Sequence, residues 1–188
     1  MNANFQIVIS GVGGQGVLFV TRLLAEAAIA NGLPVFTSET HGMAQRGGTV
    51  ISHLKVGDFS SPLINPGRAD GLIALKAECL HQHGGYLKPG GWAAVNSPEP
   101  LSNQTPYTPA TIDADRLARE LDDPRSVNLI MLGFSLTYCE RDVIGDGGFY
   151  CSLDDVAATL STRLIERPAM LPSAMRALRA ASDQSATT

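Results

Sequence analysis

The first forty residues constrain the fold more than any other part of the chain. Phe5, Ile7, Val8 and Ile9 form an apolar run that is too brief for a helix and stops at Ser10. Such a run reads as a buried strand. It meets the cluster Gly11-Val12-Gly13-Gly14-Gln15-Gly16, which matches G-x-G-x-x-G. From Val17 to Ala30 the residues are strong helix formers with only Thr21, Arg22 and Glu26 as a polar stripe, and Gly32 stands where a glycine stops a helix. Pro34, Val35, Phe36 and Thr37 then make a second short strand. Strand, glycine loop, helix and strand in succession predict a parallel crossover.

In that setting Gly11 is expected to permit the tight turn, Gly13 to let a ligand approach the backbone, and Gly16 to let the helix pack on the strand. Amides at the helix start present partial positive charge to a phosphate or carboxylate. Glu39, just past the second strand, stands where a dinucleotide-binding fold places its ribose-binding acid, so these residues alone favour an NAD-type site. Two other readings stay open: glycines serving only close packing, or a loop that faces a neighbouring protein.

Glu39 to Gly48 shows no apolar period and reads as a functional loop. Thr49 to Val56 alternates as a third strand, with Ser52 and Leu54 on one face and His53 and Lys55 on the other. Asp70–Leu75 and Trp92–Asn96 are the fourth and fifth strands, separated by a helix over about Ala77–His83 and by turn residues including Pro89, Gly90 and Gly91. Ser97–Pro109, with four prolines, reads as an extended connection. Asp113 caps a helix reaching about Leu121, and Val127–Tyr138 is a markedly apolar helix. Ser152 with Asp155 resembles a capping box that opens a helix to about Leu164, and a last helix covers Pro172–Ala181. The sum is an open α/β fold: a mostly parallel, Rossmann-like sheet with helices on both faces. One domain over residues 1–181 and a polar, disordered tail at 182–188 are expected.

A net charge of −4 without a Lys/Arg run argues against nucleic acid. No apolar run approaches the roughly 20 residues that cross a bilayer, and the amino terminus lacks the basic start of a signal peptide. A cytoplasmic protein is expected. Cys79, Cys139 and Cys151 are an odd number at wide spacing, so they read as reduced thiols that cannot house a metal cluster unaided.

The stretch Thr37-Ser38-Glu39-Thr40-His41-Gly42-Met43-Ala44-Gln45-Arg46-Gly47-Gly48 is the most informative of all. With Gly13-Gly14-Gln15-Gly16, Ser61-Pro62-Leu63-Ile64 and Leu87-Lys88-Pro89-Gly90-Gly91 it resembles the gamma-type subunits of 2-oxoacid:ferredoxin oxidoreductases, most of all the indolepyruvate type, whose subunit is called beta. The likeness runs from Phe5 to about Asn96 and more loosely to about Ile165. It implies the fold of that gamma domain and a place in a complex that converts a 2-oxoacid such as an aryl pyruvate, coenzyme A and oxidised ferredoxin into acyl-CoA, carbon dioxide and reduced ferredoxin. It further implies that thiamine diphosphate and the iron-sulfur clusters sit on an alpha-type companion subunit, that ferredoxin meets the complex, and that this chain alone holds no cofactor, metal or catalytic residue.

The resemblance assigns Gly11, Gly13, Gly14, Gln15 and Gly16, together with Glu39, His41, Gln45, Arg46, Gly47 and Gly48, to a ligand or partner cleft. A guanidinium beside paired glycines could hold a carboxylate or phosphate through two parallel hydrogen bonds, or Arg46 could simply pair with Glu39. Isolated from its companion, such a chain is expected to pair with itself around the Glu39–Gly48 loop. A stand-alone NAD(P)-dependent dehydrogenase and a nucleotide-sensing module are the competing functions. His81 and His83, two apart on a helix, point away from each other and read as solvated. Cys79 and Cys139 read as packing thiols.

Overall fold

The structure is a computed structural model that describes residues 4–41, 48–101, 107, 109–140 and 149–182. Six strands form one sheet: β1 (Phe5–Val12), β2 (Val35–His41), β3 (Thr49–Val56), β4 (Ala69–Ala74), β5 (Leu87–Asn96) and β6 (Pro109–Ile112). Among the described residues, six α-helices accompany them: α1 (Val17–Ala30), α2 (Ala77–His83), α3 (Ala114–Glu120), α4 (Val127–Tyr138), α5 (Leu153–Arg163) and α6 (Leu171–Arg179). The strand order is β2-β3-β1-β4-β5-β6. β3 runs against both of its neighbours, whereas β1, β4, β5 and β6 are parallel. Among the described strands, five therefore point one way and β3 alone opposes them. The mostly parallel α/β sheet is as the sequence predicts, but β1 and β2 are not neighbours, because β3 stands between them.

β1 owes its place near the centre to an apolar run that fills both faces. Ile7 and Ile9 join the larger core under α1 and α4, Val8 joins the smaller core under α2, and all three are wholly buried. The two faces are covered unequally. α1, α3, α4, α5 and α6 contribute to the first core, while α2, the coil at Ile64 and the 3-10 turn Gly84–Tyr86 cover the second. On the first face the indole of Trp92 lies against Gly71, where a Cβ would come within 2.2 Å of the ring, so only glycine admits it.

Local signals place the helix ends well. Gly32, at φ +74°, follows α1; its N–H donates to the Ile29 carbonyl, and the Leu33 N–H donates to the Ala28 carbonyl, which closes the helix. Asp113 accepts from the Arg116 N–H at 2.8 Å. Both halves of the Ser152/Asp155 box form, at 3.1 and 2.8 Å, so the shorter Asp side chain does the work of the usual Glu.

Three expectations fail for reasons of context. β5 starts at Leu87, not Trp92, because Pro89, Gly90 and Gly91 are absorbed into an irregular strand with Gly90 at φ +76°. β6, Pro109–Ile112, pairs with β5 at the end of the expected connection Ser97–Pro109 and just past it, where no strand is expected; four buried residues opened by proline are too few to show a period. The supposed loop from Glu39 begins as strand, since β2 continues to His41 opposite Val50. Residues 183–188, most of the expected tail, lie outside the described residues. Among the described residues, no helix is long and apolar enough to cross a membrane.

The contact of α4 with α6 gives a direct test of this packing. A Cβ on Gly133 would lie 1.8 Å from the Leu178 carbonyl oxygen, a backbone atom that cannot swing aside. Gly133→Ala is expected to lower unfolding free energy by about 3 kcal/mol, measured by urea denaturation. An unchanged midpoint would show that the two helices do not pack as described.

Candidate functional site at the carboxyl edge of the sheet

The glycine loop leaves the carboxyl end of β1 and turns into α1. Its glycines divide the work differently from expectation. Gly11 is the close-packing residue: a Cβ there would meet Val17 Cγ2 at 2.9 Å, Gln15 Oε1 at 3.0 Å and Leu75 Cδ1 at 3.1 Å. Gly14 and Gly16, at φ +90° and +82°, supply the left-handed turn. Gly16 also admits Asn128 of α4, whose Nδ2 would be 2.1 Å from an added Cβ, so the close approach comes from a helix rather than from the strand. Gly13 is exposed and meets only the Gly48 oxygen, 3.8 Å from a built Cβ, so it does leave an open approach.

Part of the loop's hydrogen bonding is already satisfied. The Gly13 N–H donates to the Gly48 carbonyl at 3.2 Å, and the Gln15 N–H donates to the Val12 carbonyl at 3.1 Å. Gln15 turns its side chain inward, where Oε1 accepts from the Val12 N–H at 2.7 Å. It braces its own loop. The first turn of α1 is different: Gly16 is its cap and no side chain caps it. The Val17, Leu18 and Phe19 amides have no preceding helical carbonyl and carry the partial positive charge of a helix start.

Beside this turn opens a cleft of about 510 Å³, walled by Val12, Val17 and Val50 and by the loop glycines. Phe19, Arg22 and Arg163 line its outer end. Arg163 lies over the Phe19 ring at 5.7 Å and forms an ion pair with Glu26, while Arg22 is exposed on the rim. The cleft is mostly apolar with a cationic end, a combination suited to an elongated anionic molecule.

Glu39 lies within β2 opposite Ser52 of β3. Because β3 separates β2 from β1, Glu39 is two strand spacings, roughly 9–10 Å, from β1, not beside it as a ribose-binding acid must be. The geometry that would support a stand-alone NAD(P) dehydrogenase is therefore missing. His41 ends β2, and Gly48 meets the glycine loop through its carbonyl. Gln45, Arg46 and Gly47 lie outside the described residues.

On the second face, just before the glycine loop, a buried polar group was invisible to sequence reasoning. The hydroxyl of wholly buried Ser10 is 2.8 Å from His83 Nδ1 and also hydrogen-bonds the Cys79 thiol. His83 is thus half-buried and engaged rather than solvated. His53, 3% exposed, accepts from the Ile64 N–H at 3.3 Å and meets the Tyr86 ring edge-on. Desolvation, then the charges of His83 and Lys55, hold the His53 pKa below its ordinary value; desolvation lowers that of His83. Burial pushes the Cys79 thiol up and the Cys151 thiol up to about 12. All three cysteines are buried, as packing thiols should be. Asn96, at the end of β5, uses both ends of its amide: Nδ2 donates to the Leu75 carbonyl and Asp115, and Oδ1 accepts from the Ala114 N–H. It ties β4, β5 and α3 into one rigid edge.

Residues 6–184 match the family described as pyruvate ferredoxin/flavodoxin oxidoreductase. The chain belongs to that family. Two of its relatives are indolepyruvate oxidoreductase subunits IorB. The one from Archaeoglobus fulgidus is 56% identical over 75 residues, 39% of this chain and 37% of that protein. The one from Thermococcus kodakarensis is 30% identical over 151 residues, 69% of this chain and 75% of that protein. The aligned part thus spans little more than a third of the Archaeoglobus relative. Among solved structures, the keto/oxoacid ferredoxin oxidoreductase gamma subunit of Geobacter sulfurreducens superposes with a TM-score of 0.75 at 22% identity, covering 95% of this chain and 96% of that one. The 2-oxoglutarate:ferredoxin oxidoreductase of Magnetococcus marinus, solved with 2-oxoglutarate, coenzyme A and succinyl-CoA bound, gives 0.76 at 22%, covering 95% of this chain and 30% of that one. These neighbours share the fold of this oxidoreductase-family chain.

Its buried imidazoles predict an acid-sensitive stability. Depressed folded pKa values mean that the folded chain binds fewer protons than the unfolded one near pH 6. Stability from both histidines is complete above the unfolded value of about 6.5 and declines as pH falls through 6.5 toward the lowered folded values. Melting temperature is expected to drop between pH 7.5 and 5.5, and His53→Gln to flatten the slope. A melting temperature that holds or rises on acidification would contradict it.

Proposed function

We propose that this chain is the non-cofactor, gamma-type subunit of a cytoplasmic 2-oxoacid:ferredoxin oxidoreductase of the indolepyruvate type. The observation that carries the reading is the junction of two loops at one end of the sheet. The Gly13 N–H meets the Gly48 carbonyl, so the glycine loop that leads into the uncapped first turn of α1 lies beside the entry to β3. The similarity to IorB subunits supplies the substrate class. In the reaction a 2-oxoacid loses its carboxylate as carbon dioxide, its acyl carbon passes to the sulfur of coenzyme A, and the electron pair goes to oxidised ferredoxin. Thiamine diphosphate, held with the iron-sulfur clusters by an alpha-type companion subunit, supplies the electron sink that this carbon chemistry needs.

The role of this chain is to complete and close that site. Exposed Gly13 and Gly14 leave the backbone accessible, and the α1 amides face negative charge. Gly11, Gln15 and Gly16 shape the loop behind them. Arg46, followed in sequence by Gly47 and Gly48, would offer a planar fork to a phosphate or carboxylate of coenzyme A or the oxoacid, and Glu39, His41 and Gln45 belong to the same sequence motif. β2 is an edge strand with Phe36 39% exposed, which provides a surface for the companion and, in its absence, for a second copy of this chain.

The test is copurification from the native host, followed by ferredoxin reduction with a panel of oxoacids. A Cys-rich companion and activity that requires both an aryl 2-oxoacid and coenzyme A are expected; a chain recovered alone, or a companion equally active without it, would overturn the reading. Gly13→Ala refines the assignment, because its Cβ meets nothing closer than 3.8 Å. It is expected to leave the melting temperature of the chain unchanged yet raise the KM for coenzyme A about tenfold, by placing a methyl group where a ligand approaches the backbone. Arg46→Lys is expected to lower kcat/KM about tenfold or more through loss of the paired hydrogen bonds.

A further inference from the structure

α2 is short for a helix that covers one face of a sheet, with only Cys79 and Leu80 buried in it. Its last two residues reach two different strands. His83 Nδ1 is 2.8 Å from the hydroxyl of Ser10, one residue before the glycine loop. Gln82 Oε1 accepts from the Thr49 hydroxyl at 2.6 Å, one residue after Gly48. Consecutive helical side chains diverge by about 100°, so neighbours in sequence can grip adjacent strands about 4.8 Å apart.

The gripped strands are the pair from which both candidate loops spring. In the β1–β3 register Val12 faces Thr49 and Ser10 faces Ile51, so the two contacts are diagonal neighbours at the very end of the ladder. The Gly13–Gly48 backbone bond lies just beyond them. The turn that leads from β4 into α2 is anchored: the Leu75 N–H donates to the Ser10 carbonyl at 2.8 Å, and Asn96 holds the Leu75 carbonyl. Ser10 is wholly buried, where an apolar side chain would incur no desolvation cost. What the polar pair adds is direction, fixing one strand end relative to one helix end.

We propose that His83 and Gln82 are positioning residues that act through Ser10 and Thr49 to hold the glycine loop and Gly48, at the entry to β3, in one fixed relation. The consequence for turnover rests on reading the glycine loop as part of a wall for coenzyme A or the oxoacid. Neither side chain touches the cleft; both set the spacing of what does.

Two substitutions at His83 separate position from bulk. Asparagine places a polar atom near Nδ1 and glutamine places one near Nε2, so His83→Asn can keep the Ser10 contact and His83→Gln cannot. In the full chain alone, amide hydrogen exchange is followed over Ser10–Gly16 and Thr49–Ser52. His83→Gln is expected to speed exchange in the first segment about tenfold, and Gln82→Ala in the second about threefold, with His83→Asn close to the unmodified chain. Equal exchange in the two His83 variants, or acceleration spread evenly through the chain, would overturn the proposal. In the complex with the companion, His83→Gln is expected to raise the KM for coenzyme A or oxoacid several-fold while His83→Asn recovers most of the loss. Loosened loops with unchanged kcat and KM in an active complex would overturn the positioning role. If the complex turns over no oxoacid while exchange follows the expected pattern, the proposed function fails and the two-point grip stands.

Discussion

The antiparallel pairing of β1 with β3, from Phe5 opposite Val56 to Val12 opposite Thr49, is the contact on which the rest of this molecule depends. It takes the place that β2 would fill in a simple crossover. One effect is to bring the chain entering β3 beside the chain leaving β1, so two loops that are distant in sequence meet at Gly13 and Gly48. Another is to push β2 to the edge, which carries Glu39 away from the glycine loop. A motif known for holding dinucleotides is thereby set in a frame where Glu39 does not stand beside the glycine loop.

The two faces of the sheet are built on different principles. Beneath α1 and α4 the core is almost wholly apolar and tight enough that Gly71 and Gly133 admit no methyl group. Beneath α2 the packing is thinner and includes Ser10, His53 and Lys55, the last stacked over Phe59. Buried polar groups of this kind hold orientation better than they add stability, provided each finds a partner. Ser10 and Asn96 lie at the carboxyl edge, where together with the Leu75 backbone they join three strand ends to two helices.

Sequence reasoning did best where a signal is local. The Gly32 stop, the Asp113 cap, the Ser152/Asp155 box and the α4 limits at Val127 and Tyr138 all stand, since each depends on residues within a few positions of one another. It did worst where the cause is distant. The irregular start of β5 and the four residues of β6 become strands only because β4 and β5 offer them partners. His83 looked solvated because its partner, Ser10, is far away in the chain. Gly11 and Gly16 exchanged expected roles because Leu75 and Asn128 are what press on them.

The amino-acid sequence by itself determined the kind of fold, its family and the two loops that matter, because apolar runs, glycine spacing and short motifs act through neighbours in the chain. Tertiary structure alone decided the strand order, the placement of Glu39 on the edge strand, and the network joining Ser10, His83 and Cys79. Strand order follows from which apolar faces bury best together, a balance over the whole core that no single segment contains. Hydrogen bonds between distant side chains form only after that balance is struck, so they are written in the fold and not in the string of residues.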